Sequence, residues 1–538
     1  MVILASFGFA QIPPQKKSYT LADSLRGSLT SALRTCYDVD YYHLSVKINP
    51  DSQSISGSNL FKFTATKKFD QLQFDLFDNL SVDKILYHQQ SLNYKRTFNA
   101  VFVDFPKEIL QGSRDSFVVY YSGKPIVAKK APWDGGFVFA KHDDDKNWIA
   151  TACQGVGASI WWPNKDQQDD EVDSALISIS VPNDVMDVSN GRLIAKTDLK
   201  NGYTQYDWKV VNPINNYDIA VNAANYFHFF DNYKGLNGNL SLDFYVLPEH
   251  ELAAQKQFSD VKRMLAAFEH WFGAYPFYKD GYKLVETPYL GMEHQSAVAY
   301  GNQYKNGYLG RDLSGTGWGL KWDFIIVHES GHEWFGNNIT AKDIADMWIH
   351  EGFTCYSESL FTEYWYGKEA GEDYVIGLRK NILNKEPIIG DYGVNNEGSS
   401  DMYYKGANLL HTIRTLINND QKWRAILMGL NASFGKKTTN TLSIINYINK
   451  QSGFNFTKIF DQYLRFAALP LLELRQENGK IACRWQAEVK NFDMPIQFEG
   501  NDKVYYPSNE WQILPISKPL SSVKLNRDYF VNVKVIGD

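Results

Sequence analysis

The sequence contains no tract of basic residues. Its 55 lysine and arginine residues are outnumbered by 61 aspartate and glutamate residues, so the formal net charge is −6. Proteins that bind nucleic acid usually present clustered positive charge to the phosphate backbone. The charge pattern therefore argues against a nucleic acid as the partner of this protein.

Cysteine is also scarce, with four residues in a chain of 538, widely separated in sequence. Disulfide frameworks and C-x-x-C metal sites need a denser and more regular spacing than this. We therefore expect all of the cysteines to be buried free thiols: Cys36, Cys153, Cys355 and Cys483.

Long apolar runs are missing too, since none reaches the roughly 18–20 residues that a membrane-spanning helix needs. A shorter apolar run at residues 2–10 is similar to the end of a secretory signal, although no basic residue precedes it. Residues 1–20 are then a leader arm and the protein is secreted or periplasmic. The alternative is a hydrophobic arm that packs on the body of a cytoplasmic protein.

A length of 538 residues is too great for a single hydrophobic core, so we expect several domains. From about residue 36 to 235, apolar and polar residues alternate, which is typical of strands. Residues 248–272 carry apolar side chains at helical intervals instead, and short alternating stretches return after Pro470. The patterns predict a multidomain α+β protein with domains at 21–238, 239–465 and 466–538.

The stretch from His328 to His332 reads His-Glu-Ser-Gly-His. If residues 322–335 are helical, the two histidines lie on one face and can hold one zinc ion. Catalytic zinc usually has three protein ligands, and Glu351 is the expected third. Glu329 would lie beside the metal and take a proton from the attacking water. Five residues of this form also occur by chance on ordinary helices, so the assignment depends on the spacing between His332 and Glu351 as well.

Eighteen residues separate His332 from Glu351, which Gly-Phe follows, and this is the spacing of the gluzincin metallopeptidases. The sequence resembles the M1 family of zinc aminopeptidases, in particular its secreted bacterial members, from about Tyr37 onwards. The resemblance implies an N-terminal β-saddle domain, a thermolysin-like, mainly helical catalytic domain and a small C-terminal β-sandwich. It also implies one zinc ion per site. The large helical domain that closes the longest M1 enzymes has no room here.

Two segments resemble M1 motifs that hold the free amino group of the substrate. Residues 290–294, Leu-Gly-Met-Glu-His, are similar to the G-x-M-E-N motif, although their first and last residues depart from it. The resemblance places Glu293 on the amine and the backbone of Gly291 and Met292 beside the peptide. Gln154 stands where the family has a glutamine or glutamate against the same amine.

Residues 403–406 resemble the Y-x-K-G segment of the family, which makes Tyr403 the donor of a hydrogen bond to the oxyanion. Tyr404 is the competing candidate. Glu358, seven residues after Glu351, shares its helix face and is expected either to orient a ligand histidine or to be an exposed carboxylate. The other histidines near the motifs are expected to be structural: His294, His350 and His411.

We therefore expect a zinc-dependent aminopeptidase that acts on peptides with a free N-terminus. One alternative is a related zinc hydrolase, either an endopeptidase or a bifunctional aminopeptidase and epoxide hydrolase. Another is a non-catalytic binding scaffold, which the retention of the predicted zinc ligands and of Glu329 disfavours. No motif marks the pocket for the first side chain or an oligomer interface.

Overall fold

The computed structural model describes residues 17–27 and 31–537. The apolar run at residues 2–10, interpreted above as the end of a leader, lies outside the described residues. In those two ranges no helix is long and apolar enough to cross a membrane. Within the same ranges the cysteines are buried and free, as predicted.

The first part of the chain is built almost entirely of strands. Its elements are α1 (Leu21–Gly27), α2 (Ala32–Thr35), β1 (Tyr37–Asn49), β2 (Ser54–Ala65), β3 (Phe69–Asp75), β4 (Leu80–Tyr87), β5 (Gln90–Ser91), β6 (Asn93–Thr97), β7 (Ala100–Ile109), β8 (Arg114–Gly123), β9 (Gly136–His142), β10 (Lys146–Ala152), β11 (Ser174–Pro182), β12 (Met186–Val188), β13 (Arg192–Asp198), β14 (Tyr203–Val210) and β15 (Asn222–Ala224).

These strands form a large sheet in the order β13-β14-β11-β1-β2-β8-β4-β5 and smaller sheets in the orders β12-β15-β10-β9 and β3-β7-β6. Strands β1 and β11 pair in parallel. Because side chains alternate across a strand, Tyr42, Leu44, Val46 and Ile48 of β1 all point into the core. Strand β10 ends two residues before Gln154 and so carries it to the rim of this region.

The middle part of the chain is mainly helical. Its elements are β16 (Phe227–Gly235), β17 (Gly238–Val246), α3 (Glu251–Gln257), α4 (Asp260–Phe272), β18 (Tyr282–Glu286), β19 (Gly291–Met292), β20 (Val298–Tyr300), α5 (Phe324–Gly331), β21 (Ile339–Ala341), α6 (Trp348–Tyr366), α7 (Lys368–Gly377), α8 (Tyr404–Ile417), α9 (Asp420–Phe434), β22 (Lys437–Thr439), α10 (Thr441–Ser452) and α11 (Thr457–Arg465).

A sheet in the order β16-β17-β18-β20-β19 separates the helices from the strand-rich first part. Its two faces are both apolar. Leu284 and Val298 belong to the core shared with the helices, whereas their neighbours Val285 and Ala299 belong to the core of the first part. The alternation of side chains along β18 and β20 therefore joins two cores through one sheet, and β19 is its edge strand at the interface.

The predicted domain limits at 238 and 465 fall at element ends. Residue 238 begins β17, which forms a hairpin with β16 in the interface sheet. Residue 465 is the last residue of α11. The domain limits themselves stay a prediction.

The last part of the chain returns to strands, as predicted. The strands are β23 (Leu471–Glu477), β24 (Lys480–Gln486), β25 (Ile496–Gln497), β26 (Val504–Tyr505), β27 (Gln512–Leu514) and β28 (Asn532–Val535). They form sheets in the orders β27-β24-β23-β28 and β25-β26. Buried residues such as Leu472 and Trp485 belong to the same apolar cluster as the helices, so this part is packed firmly on the helical region.

Helices α6 and α8 cross in close contact at two glycines. A Cβ placed on Gly406 would lie 3.0 Å from the Cα of Gly352, and a Cβ on Gly352 would lie 3.3 Å from the Cα of Gly406. Backbone therefore packs on backbone at this crossing. Glu351 precedes one of the glycines and the Tyr403–Tyr404 pair lies just before the other, so the crossing sets the separation of these side chains.

We predict that Gly406→Ala destabilises the protein by about 1–3 kcal/mol, the usual cost of overpacking a rigid contact. In an uncrowded helix the same change would stabilise by up to about 1 kcal/mol. Gly429→Ala in α9 is the matched control, because its Cβ would meet only the hydroxyl end of the half-exposed Tyr447 side chain. Denaturant unfolding measures both variants, and equal stabilities would contradict the close-contact argument.

Candidate metal centre and active site

Helix α5 presents the first histidine. The side chain of Asp323 caps the helix by accepting from the backbone N–H groups of Ile325 and Ile326, at 3.1 and 3.3 Å. The helix ends at Gly331, so it is shorter than the 322–335 span considered above. His332 nevertheless keeps helical dihedrals, φ −63° and ψ −23°. Its side chain therefore stays on the same face as His328.

The two imidazoles and one carboxylate of α6 converge on a point. Nε2 of His328 lies 3.7 Å from Oε2 of Glu351, and Nε2 of His332 lies 3.3 Å from the same oxygen. All three side chains are buried. Glu351 lies in the first turn of α6, which brings it opposite α5.

The other ring nitrogens are held by hydrogen-bond acceptors. Nδ1 of His328 lies 2.7 Å from Oε1 of Glu358, whose second oxygen accepts from the Tyr374 hydroxyl at 2.7 Å. Nδ1 of His332 lies 3.0 Å from the carbonyl oxygen of Phe335. These acceptors assign the ring proton to Nδ1 and leave the Nε2 lone pairs directed at Glu351.

This donor set fits a zinc ion. Oε2 of Glu351 is buried and accepts no hydrogen bond from the described residues. Two imidazole nitrogens and a carboxylate oxygen without a hydrogen-bond donor among the described residues face one another, and a bound cation would satisfy all three. Two histidines and one carboxylate are a common ligand set for catalytic zinc.

Glu329 lies beside this centre, against the edge strand β19. A Cβ on Gly291 would lie 2.8 Å from Oε1 of Glu329 and 2.9 Å from Cγ2 of Ile325, so only glycine allows the strand to approach α5 this closely. Burial raises the pKa of the Glu329 carboxyl, although His328 and His332 act in the opposite direction. A carboxylate with a raised pKa is a better proton acceptor than an ordinary glutamate.

The amide group of Gln154 connects two carboxylates. Its Nε2 donates to Oε1 of Glu293 and, at 3.1 Å, to Oε1 of Glu351. Burial raises the pKa of Glu293 to about 7, and the carboxylates of Glu351 and Glu329 act in the same direction. A positive charge at this position would relieve the repulsion among the three carboxylates.

Tyr403 and Tyr404 differ in the groups that surround them. The Tyr403 ring lies 6.1 Å from the His328 ring, and burial followed by the Glu351 carboxylate raises its pKa well above the usual value. The pKa of Tyr404 is also raised, by burial and then by groups on the far side of His328 that include Glu358. Tyr403 is therefore the tyrosine on the side of Glu351, and its hydroxyl keeps its proton.

The other histidines do not join the converging set. Nε2 of His350 accepts from the backbone N–H of Ala341 at 2.8 Å. His411 lies 3.2 Å from Asp528. The ring of His294 is buried, with no hydrogen-bond partner for its nitrogens among the described residues, and burial lowers its pKa to about 3.

Two groups that hold site residues in place were not predicted from the sequence. Asn337 Nδ2 donates to the backbone carbonyl of Glu293 at 2.7 Å and holds that segment in place. Its position five residues after His332 is the only signal that could have suggested it. The backbone carbonyl of Phe335 could not be predicted from the sequence, because every residue has a backbone carbonyl.

These groups line a cleft of about 960 Å³ between the strand-rich first part and the helical region. The first part contributes Gln154, Gly155 and Arg26, and β19 forms one wall. The loop before α8 contributes Glu397. The predicted site residues therefore meet in one cavity at a domain interface, a frequent location for ligand sites.

Comparisons with known proteins agree with this geometry. Residues 38–217 match the model of the Peptidase M1 N-terminal domain, and residues 257–463 match that of the Peptidase family M1 domain. Among curated proteins, "Aminopeptidase 2, mitochondrial" of Saccharomyces cerevisiae is 24% identical over 400 residues, covering 69% of this chain and 40% of the relative. The chain spans less than half the length of this and the other first relatives it matches.

Solved structures show the same fold. An M1 zinc metallopeptidase from Deinococcus radiodurans superposes with a TM-score of 0.67 at 19% identity, covering 83% of this chain and 97% of that one. A mutant of the Deinococcus radiodurans enzyme bound to the substrate Tyr-Ser-Ala gives a TM-score of 0.66 at 19% identity, with 80% and 95% coverage.

We predict that Ala substitution of His328, His332 or Glu351 removes bound zinc, whereas Glu329→Gln retains it, because Glu329 borders the ligand set without completing it. Metal analysis after dialysis distinguishes the two classes of variant. Glu358→Ala should weaken zinc binding about 10–100-fold, the usual effect of losing the group that orients a ligand. A folded Glu329→Gln protein without zinc would contradict these roles.

Proposed function

The chain belongs to peptidase family M1, and we propose that it is a zinc-dependent aminopeptidase that removes the first residue from peptides with a free amino terminus. One observation carries the proposal. The Gln154 amide donates to both the buried Glu293 carboxylate and Glu351, so a receptor for an ammonium group would adjoin a zinc ion held by Glu351. A peptide anchored there by its amine has its first peptide bond nearest the metal.

The hydrolytic step uses groups on both sides of the scissile bond. A zinc ion held by His328, His332 and Glu351 would polarise the first peptide carbonyl and lower the pKa of the attacking water. The Glu329 carboxylate accepts a proton from that water and later delivers it to the leaving amine. Burial raises the pKa of Glu329, which makes it a better proton acceptor than an ordinary glutamate.

Two kinds of interaction bind the substrate: hydrogen bonds to its charged amine and contacts of its backbone with the sheet edge. The substrate ammonium donates to the carboxylate of Glu293 and to the side-chain oxygen of Gln154, whose own amide hydrogens already bridge two carboxylates. The backbone of Gly291 and Met292 at the sheet edge lies beside the peptide and can pair with it as an added strand. A longer N-terminal extension would place an uncharged amide against Glu293 and Gln154 in place of the ammonium group.

The Tyr403 hydroxyl supplies the remaining stabilisation. As the carbonyl carbon becomes tetrahedral, its oxygen gains negative charge, and a phenol that keeps its proton can donate to it. The pKa of Tyr403 is raised well above the usual value, so the donor stays protonated over the whole working range of pH.

We also propose that the protein works outside the cytoplasm. The support is the apolar run at residues 2–10, followed by Gln11, which is similar to the end of a secretory signal.

We predict that Tyr403→Phe lowers kcat by about 10²–10³-fold with a small change in KM, because the hydrogen bond is made mainly in the transition state. Tyr404→Phe is the matched control, since it removes the same hydroxyl from the neighbouring residue. Steady-state kinetics on an aminoacyl amide decide between them. A large loss in the Tyr404 variant alone would assign the oxyanion donor to Tyr404.

We predict that N-acetylation of a good peptide substrate abolishes cleavage, because it removes the charge that Glu293 and Gln154 bind and adds bulk beside these side chains. Glu293→Ala should lower kcat/KM for the free-amine peptide, and Glu293→Gln should do so less, since an amide oxygen still accepts a hydrogen bond. Product analysis by mass spectrometry reads out both. Internal cleavage of acetylated peptides at comparable rates would identify an endopeptidase and refute the proposed function.

A further inference from the structure

One carboxylate in the cleft has no role in the mechanism described above. Glu397 lines the cavity on the loop that precedes α8, and its side chain is exposed to the cleft. Among the residues that the structure describes, none donates a hydrogen bond to its carboxylate or lies within ion-pairing distance of it. Glu293, Glu351 and Glu358 each have a hydrogen-bond donor on the carboxylate.

The loop that carries Glu397 contacts Gly155. The side chain of Asn395 donates to the carbonyl oxygen of Gly155 at 3.1 Å, which ties the loop to the residue after Gln154. A Cβ placed on Gly155 would lie 3.2 Å from Oε2 of Glu397. The Glu397 carboxylate therefore stands directly beside the Gln154–Gly155 backbone, in the space that a side chain on Gly155 would fill.

The local charge is negative. Withdrawal from bulk water, and then the charge of Glu351, raises the pKa of Glu397. Arg26 lines the same end of the cleft, against Gly157, but its guanidinium lies 3.8 Å from the Asp166 carboxylate and is balanced by it. A cation that enters beside Gly155 would thus be the charge partner that Glu397 lacks.

The side chain of the first substrate residue can supply such a cation. If the amine lies against Glu293 and Gln154, as the proposed function requires, the first side chain branches from the adjacent Cα and starts next to Gly155. The long side chains of lysine and arginine carry their charge several bonds away from that Cα and can reach Glu397 in the same cavity. Shorter or neutral side chains leave the Glu397 carboxylate without a partner.

We propose, as an extension of the proposed function, that Glu397 is a specificity-determining residue and that the enzyme prefers peptides whose first residue is lysine or arginine. Glu397 binds the ammonium or guanidinium of that side chain, while Glu293 binds the backbone amine. The two carboxylates thereby select different charges of the same residue.

The test compares lysyl, arginyl and norleucyl fluorogenic amides, since norleucine has the lysine side chain without its charged end. We expect the wild-type kcat/KM for the lysyl and arginyl substrates to exceed that for the norleucyl substrate by at least about tenfold. In Glu397→Gln the lysyl-to-norleucyl ratio should fall about 10–100-fold, the scale of one charge-assisted hydrogen bond. Glu386→Gln removes a charge from an exposed position that does not line the cleft and should preserve the ratio.

Two results would overturn the assignment while leaving the proposed function intact. One is cleavage of all three substrates by the wild type without a charge preference. The other is an equal loss on all three in Glu397→Gln, which would place Glu397 on the backbone amine instead of the side chain. Failure of the zinc-loaded wild type to cleave any aminoacyl amide would instead refute the proposed function. Zinc content and thermal unfolding of each variant confirm that the protein is folded.

Discussion

The carboxylate of Glu351 is shared between parts of the protein that are far apart in sequence. One oxygen faces the Nε2 atoms of His328 and His332, and the other accepts from Gln154 of the strand-rich first part. A cation bound at this point would satisfy both ring nitrogens and the buried carboxylate oxygen. Because the two oxygens of Glu351 face different groups, the proposed metal position and the proposed amine receptor at Gln154 lie next to each other.

The interface sheet makes this arrangement possible. Because its two faces belong to different apolar cores, the strand-rich region and the helical region are held on either side of the same strands. The edge strand β19 can then place Gly291 against Glu329 and Glu293 against Gln154. Side chains from the strand-rich and helical regions are thereby held in one site, since burial on both faces of the sheet opposes separation of the two regions.

Close backbone contact is the second constraint on the site. Gly291 allows the edge strand β19 to lie close to α5, and Gly352 and Gly406 allow α6 to pack closely on α8. At each contact, a side chain larger than that of glycine would push the two backbone segments apart and shift the neighbouring site residue. Sub-ångström placement of a base or an oxyanion donor has a large effect on rate, so these glycines act through geometry although they carry no chemistry.

From the sequence alone we predicted the metal ligands, the proton acceptor and the order of strand-rich and helical regions, and the structure confirms that order. Those features depend on local geometry: histidines four apart share a helix face, and apolar periods of two and 3.6 residues distinguish strands from helices. The way in which Gln154 reaches Glu293 and Glu351, across separations of 139 and 197 residues, is visible only in the folded protein. So is the position of Glu397 beside Gly155, where no described residue pairs with its carboxylate. Such contacts depend on how whole domains pack, and no spacing along the chain encodes that packing.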